Sequence, residues 1–150
     1  MMPVQMCVDG ANYLVHVWDT AGTPQYQSVV PMFCRDTNIA LLVFDVTKKS
    51  TFDKILSWYD FVRGNSYPYF ILIGNKIDLE EREVSKQAAI ELAEELKADY
   101  YETSSATREG IEDMKKGICQ AIVTVNSTCI VSKPTSRIKT QTLQNESKCC

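Results

Sequence analysis

Apolar residues follow two rhythms along this chain. Ile39–Val46 and Tyr69–Gly74 are almost unbroken apolar runs, the pattern of strands covered on both faces in a parallel sheet. Asp99–Glu102 is a shorter case. Val4–Val8 and Tyr13–Asp19 are two further β-rich runs, and Asp9-Gly10 between them is a strong hairpin turn pair. Helical spacing fills the intervals. Phe52, Ile55, Leu56, Tyr59 and Val62 recur at three and four residues, as do Ala89, Leu92, Ala93 and Leu96 behind a Ser85 N-cap. Ile111, Met114, Ile118, Ala121, Ile122 and Val125 form a third stripe. Strands alternating with helices predict an α/β fold with right-handed crossovers, whose ligands sit at the carboxyl ends of the strands.

The periodicity stops after Val125. Residues 126–150 are rich in Ser, Thr, Gln, Asn and Lys, and read as a disordered, mildly basic tail ending Lys148-Cys149-Cys150. The chain thus divides into a domain over 1–125 and a tail over 126–150. A net charge of −3 and no basic stripe in the body argue against a nucleic-acid surface. No apolar run has transmembrane length, and Met1 to Asp9 lacks the pattern of a secretory signal. Six cysteines without a CxxC pair, and one histidine, His16, make a zinc site improbable. Cys7, Cys34 and Cys119 are expected as reduced core or near-core thiols.

Two motifs lie where an α/β fold places its ligand. Asn75-Lys76-Ile77-Asp78 follows an apolar strand. A short carboxylate such as Asp78, held by a tight turn, accepts from two adjacent N–H groups of guanine. Asn75 can tie loops together, and the Lys76 stem can cover the ring. Asp19-Thr20-Ala21-Gly22 ends an earlier strand-like run. It offers a carboxylate for Mg²⁺ or its water and a glycine N–H for a terminal phosphate. Ser104, Ser105 and Ala106 form a loop after the last short strand that can meet the guanine carbonyl.

These elements and their spacing resemble a Rab-like small GTPase of the Ras superfamily. Trp18-Asp19-Thr20-Ala21-Gly22, Pro31-Met32-Phe33-Cys34-Arg35, Val43-Phe44-Asp45-Val46-Thr47, Phe52 followed by Trp58, Gly74-Asn75-Lys76-Ile77-Asp78, Glu102-Thr103-Ser104 and the terminal Cys149-Cys150 carry the likeness. The resemblance implies a Ras-like G domain of the P-loop NTPase type, a mostly parallel sheet flanked by helices. It implies GTP/GDP and Mg²⁺ as ligands, slow GTP hydrolysis and a switch role in vesicle-mediated traffic. Implied partners are exchange factors, GTPase-activating proteins, an escort protein or GDI, and effectors. Geranylgeranyl groups on Cys149 and Cys150 would hold the chain on the cytosolic face of intracellular membranes, since two lipid chains anchor stably and one does not. Ser147 excludes a C-a-a-X box.

Departures from the family pattern qualify that expectation. The sequence contains no G-x-x-x-x-G-K-[ST] phosphate loop. The family's first strand, phosphate loop, first helix and first switch have no counterpart here. With them go the lysine for the β/γ-phosphates and the Ser/Thr that holds Mg²⁺. Thr23 stands at the usual catalytic Gln position, so no catalytic residue is intact, and Pro24 follows it. The absent strand would lie between Tyr13–Asp19 and Ile39–Val46. Its loss predicts a poorly folded chain or closure of the gap by those two strands. Two further readings compete: a nucleotide-free interaction protein or decoy keeping the effector surface and lipidated tail, and a general α/β binding module. The latter does not explain the ordered motifs.

Overall fold

A computed structural model describes residues 1–20, 31 and 34–131. Among the described residues, five strands and four helices follow one another in the order the sequence predicts, except that the helix expected over Phe52–Val62 is broken in two. They are β1 (Met2–Val8), β2 (Ala11–Val17), β3 (Ile39–Asp45), α1 (Lys49–Phe52), α2 (Ile55–Arg63), β4 (Tyr69–Asn75), α3 (Lys86–Leu96), β5 (Asp99–Thr103) and α4 (Ile111–Val131).

Strands β3, β4 and β5 form a parallel sheet in that order. Helices cover both faces of β4 and one face of β3, which is why β4 is apolar throughout. One face packs Leu42, Phe44, Phe70 and Leu72 against Ile55, Tyr59 and Val62 of α2 and Ala89, Ala93 and Leu96 of α3. The other packs Ile71 and Ile73 against Met114, Ile118 and Ala121 of α4. Ser85 caps α3 as expected, its hydroxyl accepting from the Ala88 N–H at 3.1 Å.

Strands β1 and β2 form a separate antiparallel hairpin. Asp9 and Gly10 both have positive φ, 51° and 79°, as a two-residue turn of this hand requires. The pairing sets Met2, Val4, Met6 and Val8 opposite Val17, Val15, Tyr13 and Ala11 on one wholly apolar face. Val8 is buried at the end of that face, where β1 meets α4. Among the described residues no ladder joins β2 to β3, so the two strands do not close the gap between the sheets. Among the described residues no strand pairs with the outer edge of β3, and Leu41 and Val43 are 42% and 54% exposed.

Three local expectations are corrected. Strand β2 ends at Val17, the residue paired with Met2, two residues before the expected end at Asp19. Helix α4 runs to Val131, six residues past the expected boundary at Val125. Its polar residues bond back to the helix: Thr124 Oγ1 to the Gln120 carbonyl (2.9 Å), Asn126 Nδ2 to that of Ile122 (2.8 Å) and Ser127 Oγ to that of Val123 (2.8 Å). Cys34 is buried and Cys119 half-buried, but Cys7 is exposed, because it lies on the hairpin face opposite Val8.

Gly110, with φ of 70°, starts the approach to α4 directly over β5, and a Cβ built there would stand 1.9 Å from the Glu102 carbonyl oxygen. Gly110→Ala combines left-handed strain with a backbone clash. It is expected to cost roughly 3 kcal/mol and lower the melting temperature, followed by circular dichroism, by on the order of 10 °C. An unchanged melt would contradict this packing.

Candidate functional site

In-register pairing places Asp45, Asn75 and Thr103 side by side at the carboxyl ends of β3, β4 and β5. Each is the last residue of its strand, so the polar groups begin where the apolar core ends. The loops that leave these strands are tied together through Asn75. Its Oδ1 accepts from the Ser105 N–H (3.2 Å), the Ser105 hydroxyl (3.2 Å) and the Thr103 hydroxyl (3.4 Å). The Ile77 N–H adds a bond to the Thr103 carbonyl at 3.3 Å. Asn75 thus performs the loop-tying role read from its motif.

Lys76 adopts a left-handed φ of 68°. The Leu79 N–H then donates to the Lys76 carbonyl at 3.1 Å, closing a turn with Asp78 inside it. Asp78 is exposed on this turn, and its carboxylate has no hydrogen-bond or ion-pair partner among the described residues. It is therefore free to accept from a ligand.

The Lys76 ammonium lies 2.7 Å from Asp45 Oδ2. Asp45 is 8% exposed, and its Oδ1 also accepts from the Thr47 N–H (2.9 Å) and hydroxyl (2.6 Å). Burial alone would raise this carboxyl, but the bonds from Lys76 and Thr47 outweigh it and hold it at about 2. Sequence reading gave Asp45 no role. An Asp ending an apolar strand with Thr two residues later was the available signal.

Ser104 is fully buried and turned into its own loop, its Oγ accepting from the N–H groups of Ala106 (3.2 Å) and Thr107 (3.0 Å). Ser105 and Ala106 are exposed beside it. A ligand carbonyl reaching the Ala106 N–H would compete with a long bond.

A second unread network braces this end. Glu102 accepts from Arg82 and from the Tyr100 hydroxyl (2.8 Å), with Lys86 3.9 Å away. Arg82 Nε also donates to the Val84 carbonyl at 2.6 Å, so the segment after Asp78 is clamped to β5. Burial and the neighbouring Glu102 push the Tyr100 hydroxyl up. The Glu102 carboxyl, which burial would raise, is lowered by Arg82 and Tyr100.

Asp19 stands apart from this group, exposed, two residues beyond β2 in the other sheet. Gly22, Thr23, Cys149 and Cys150 lie outside the described residues. Among the described residues, no cluster of three or more His, Cys, Asp or Glu could hold a metal ion. No helix among them is long and apolar enough to cross a membrane.

A parallel sheet with a guanine-type Asn-Lys-x-Asp turn at its carboxyl edge defines a small-GTPase class of site. The Ras family model matches residues 2–124, and the chain belongs to that family. Similar proteins include the Ras-related protein Rab-21 of Mus musculus, 38% identical over 120 residues, covering 77% of this chain and 54% of the relative. The Ras-related protein Rab-27B of Rattus norvegicus is 36% identical over 127 residues, covering 81% and 58%. The chain is a Rab-like small GTPase domain that spans little more than half the length of these relatives.

The Asp45 carboxyl sits at about 2 in the fold against an ordinary 3.8. The stability it contributes is full above about pH 4 and is lost as pH falls towards its folded value. Asp45→Asn should lower the unfolding free energy at neutral pH by on the order of 1 kcal/mol, discounted for the solvent near Lys76. It should also flatten the stability profile between about pH 4 and pH 2. Urea unfolding at stepped pH checks this; parallel profiles for the two proteins would contradict it.

Proposed function

We propose that this chain is the base-recognising part of a Rab-like GTP/GDP switch in vesicle-mediated membrane traffic. The Asp78 carboxylate, unpartnered among the described residues, on a turn fixed by Lys76 and beside the Asn75–Ser105 junction, carries the reading. Asp78 accepts from the guanine N–H pair, Lys76 and Asn75 flank the base, and Ser104, Ser105 and Ala106 face its carbonyl. This half of the site fits a guanine nucleotide.

The phosphate half does not. The sequence holds no phosphate loop. The cation next to the site, Lys76, is paired with Asp45. For Mg²⁺ the sequence offers Asp19, through water, with Gly22 nearby for a phosphate. Nucleotide and Mg²⁺ binding are therefore weak in this chain as given, and Thr23 at the Gln position gives slow hydrolysis even when the fold is completed.

Partners follow from the family: exchange factors, activating proteins, escort protein or GDI, and effectors. Prenyl groups on Cys149 and Cys150 hold the chain on the cytosolic face of intracellular membranes, with a cytosolic pool. A second reading is a nucleotide-free interaction protein, which the lack of a G-x-x-x-x-G-K-[ST] loop in the sequence favours.

The discriminating experiment supplies a strand–phosphate-loop–helix segment at the N-terminus and titrates fluorescent GDP and ADP with and without Mg²⁺. The switch reading expects Mg²⁺-dependent GDP binding, tighter than ADP by at least about 100-fold, with the preference lost in Asp78→Asn. No binding by the completed protein would favour the nucleotide-free reading.

A further inference from the structure

We propose that the cleft between the C-terminal ends of α2 and α3 binds an aryl phosphate, a phosphomonoester carried on an aromatic ring. The cleft lies where β4 begins, beside Tyr69 and Phe70, at the opposite end of that strand from the Asp78 turn. Its volume is about 240 Å³. Drug-sized molecules occupy roughly 300–1,000 Å³, so this cleft suits a group the size of one side chain. Arg63, the last residue of α2, and Lys97, the C-cap of α3, line it, and no carboxylate does. Neither cation forms an ion pair among the described residues. The acids on the same turns, Asp60, Glu94 and Glu95, are exposed outside the lining.

The two side chains are not used to cap their helices. The carbonyls of Asp60, Phe61 and Val62 accept from the Gly64 N–H, the Asn65 side-chain amide and the N–H groups of Asn65 and Ser66. Those of Ala93 and Glu94 accept from the N–H groups of Ala98 and Lys97. Arg63 is held in place by aromatic rings instead. One guanidinium N–H donates to the Tyr59 hydroxyl at 2.5 Å. The guanidinium carbon lies 5.6 Å from the centre of the Tyr59 ring and 6.0 Å from that of Tyr67. The remaining donors of its planar fork match a phosphate. Tyr67 is 88% exposed, a bare ring at the rim on which a ligand ring can stack. A phosphomonoester carries about two negative charges near neutral pH and so balances both cations, whereas a carboxylate balances one.

Titrating the full chain with phenyl phosphate, read by amide chemical shifts, tests this. The expected result is saturable movement at Arg63, Tyr67, Phe70 and Lys97 with a millimolar dissociation constant. Phenol and inorganic phosphate should each bind at least about tenfold more weakly. Arg63→Gln, at an exposed position, should weaken phenyl phosphate at least about tenfold. Lys54→Gln, the same loss of charge at the other end of α2, should leave it unmoved. A short uncharged peptide bearing one phosphotyrosine forms the second arm. Binding about tenfold tighter than phenyl phosphate assigns the ester to a polypeptide, and equal or weaker binding assigns it to a small free molecule. No saturable movement at these residues would overturn the proposal, as would indifference to Arg63→Gln or equal loss in Lys54→Gln. Inorganic phosphate binding as tightly as the phenyl ester would mean an adventitious ion only, and would overturn it too.

Discussion

The register of three parallel strands holds the candidate site together. Asp45, Asn75 and Thr103 fall in one row because Ile39–Asp45, Tyr69–Asn75 and Asp99–Thr103 pair without a slip. A one-residue shift would turn each side chain to the other face and separate Asn75 from Ser105. The apolar interiors of β3 and β4 fix that register by burial. Val46, Ile71 and Leu72 are fully enclosed, and Phe44 nearly so. The chemistry at the strand ends is thus a consequence of packing several residues away.

That row does two separate jobs. Asn75 gathers the loops after β4 and β5, and Glu102 with Arg82 clamps the same loops one residue further back. Together they fix the Asp78 turn without help from a ligand. Asp45, by contrast, neutralises Lys76. The end that carries the Asp78 turn is therefore built from bonds internal to this chain, and the lysine of that turn is paired with Asp45. Among the described residues no strand pairs with the far side of β3. Leaving Leu41 and Val43 half-exposed forgoes on the order of 1 kcal/mol each, and a two-stranded hairpin by itself is marginal in water.

Much of this was readable from residue order. The parallel strands announced themselves as apolar runs, and their ends were placed within a residue or so, because burial on both faces leaves little room for polar side chains. Asp9-Gly10 and Ser85 were legible because their local chemistry admits few other conformations. The end of α4 was not. Thr124, Asn126 and Ser127 look like tail residues but bond to their own helix, a satisfaction that periodicity does not register. Asp45 was hidden for a different reason. Its partners Lys76 and Thr47 meet it only after two strands have paired, and no spacing in the sequence measures that. Glu102 and Arg82, twenty residues apart, were invisible on the same grounds.

The proposed function rests on Asp78 recognising guanine in a chain whose sequence holds no phosphate loop. The direct measurement compares guanosine with GDP for binding to the chain as given, in Mg²⁺, by chemical-shift titration at Asn75, Asp78 and Ser105. The account predicts weak affinities that agree within about threefold, because the phosphates meet no grip. GDP binding at least about 100-fold tighter than guanosine would contradict it, since phosphates then add more than about 2.7 kcal/mol.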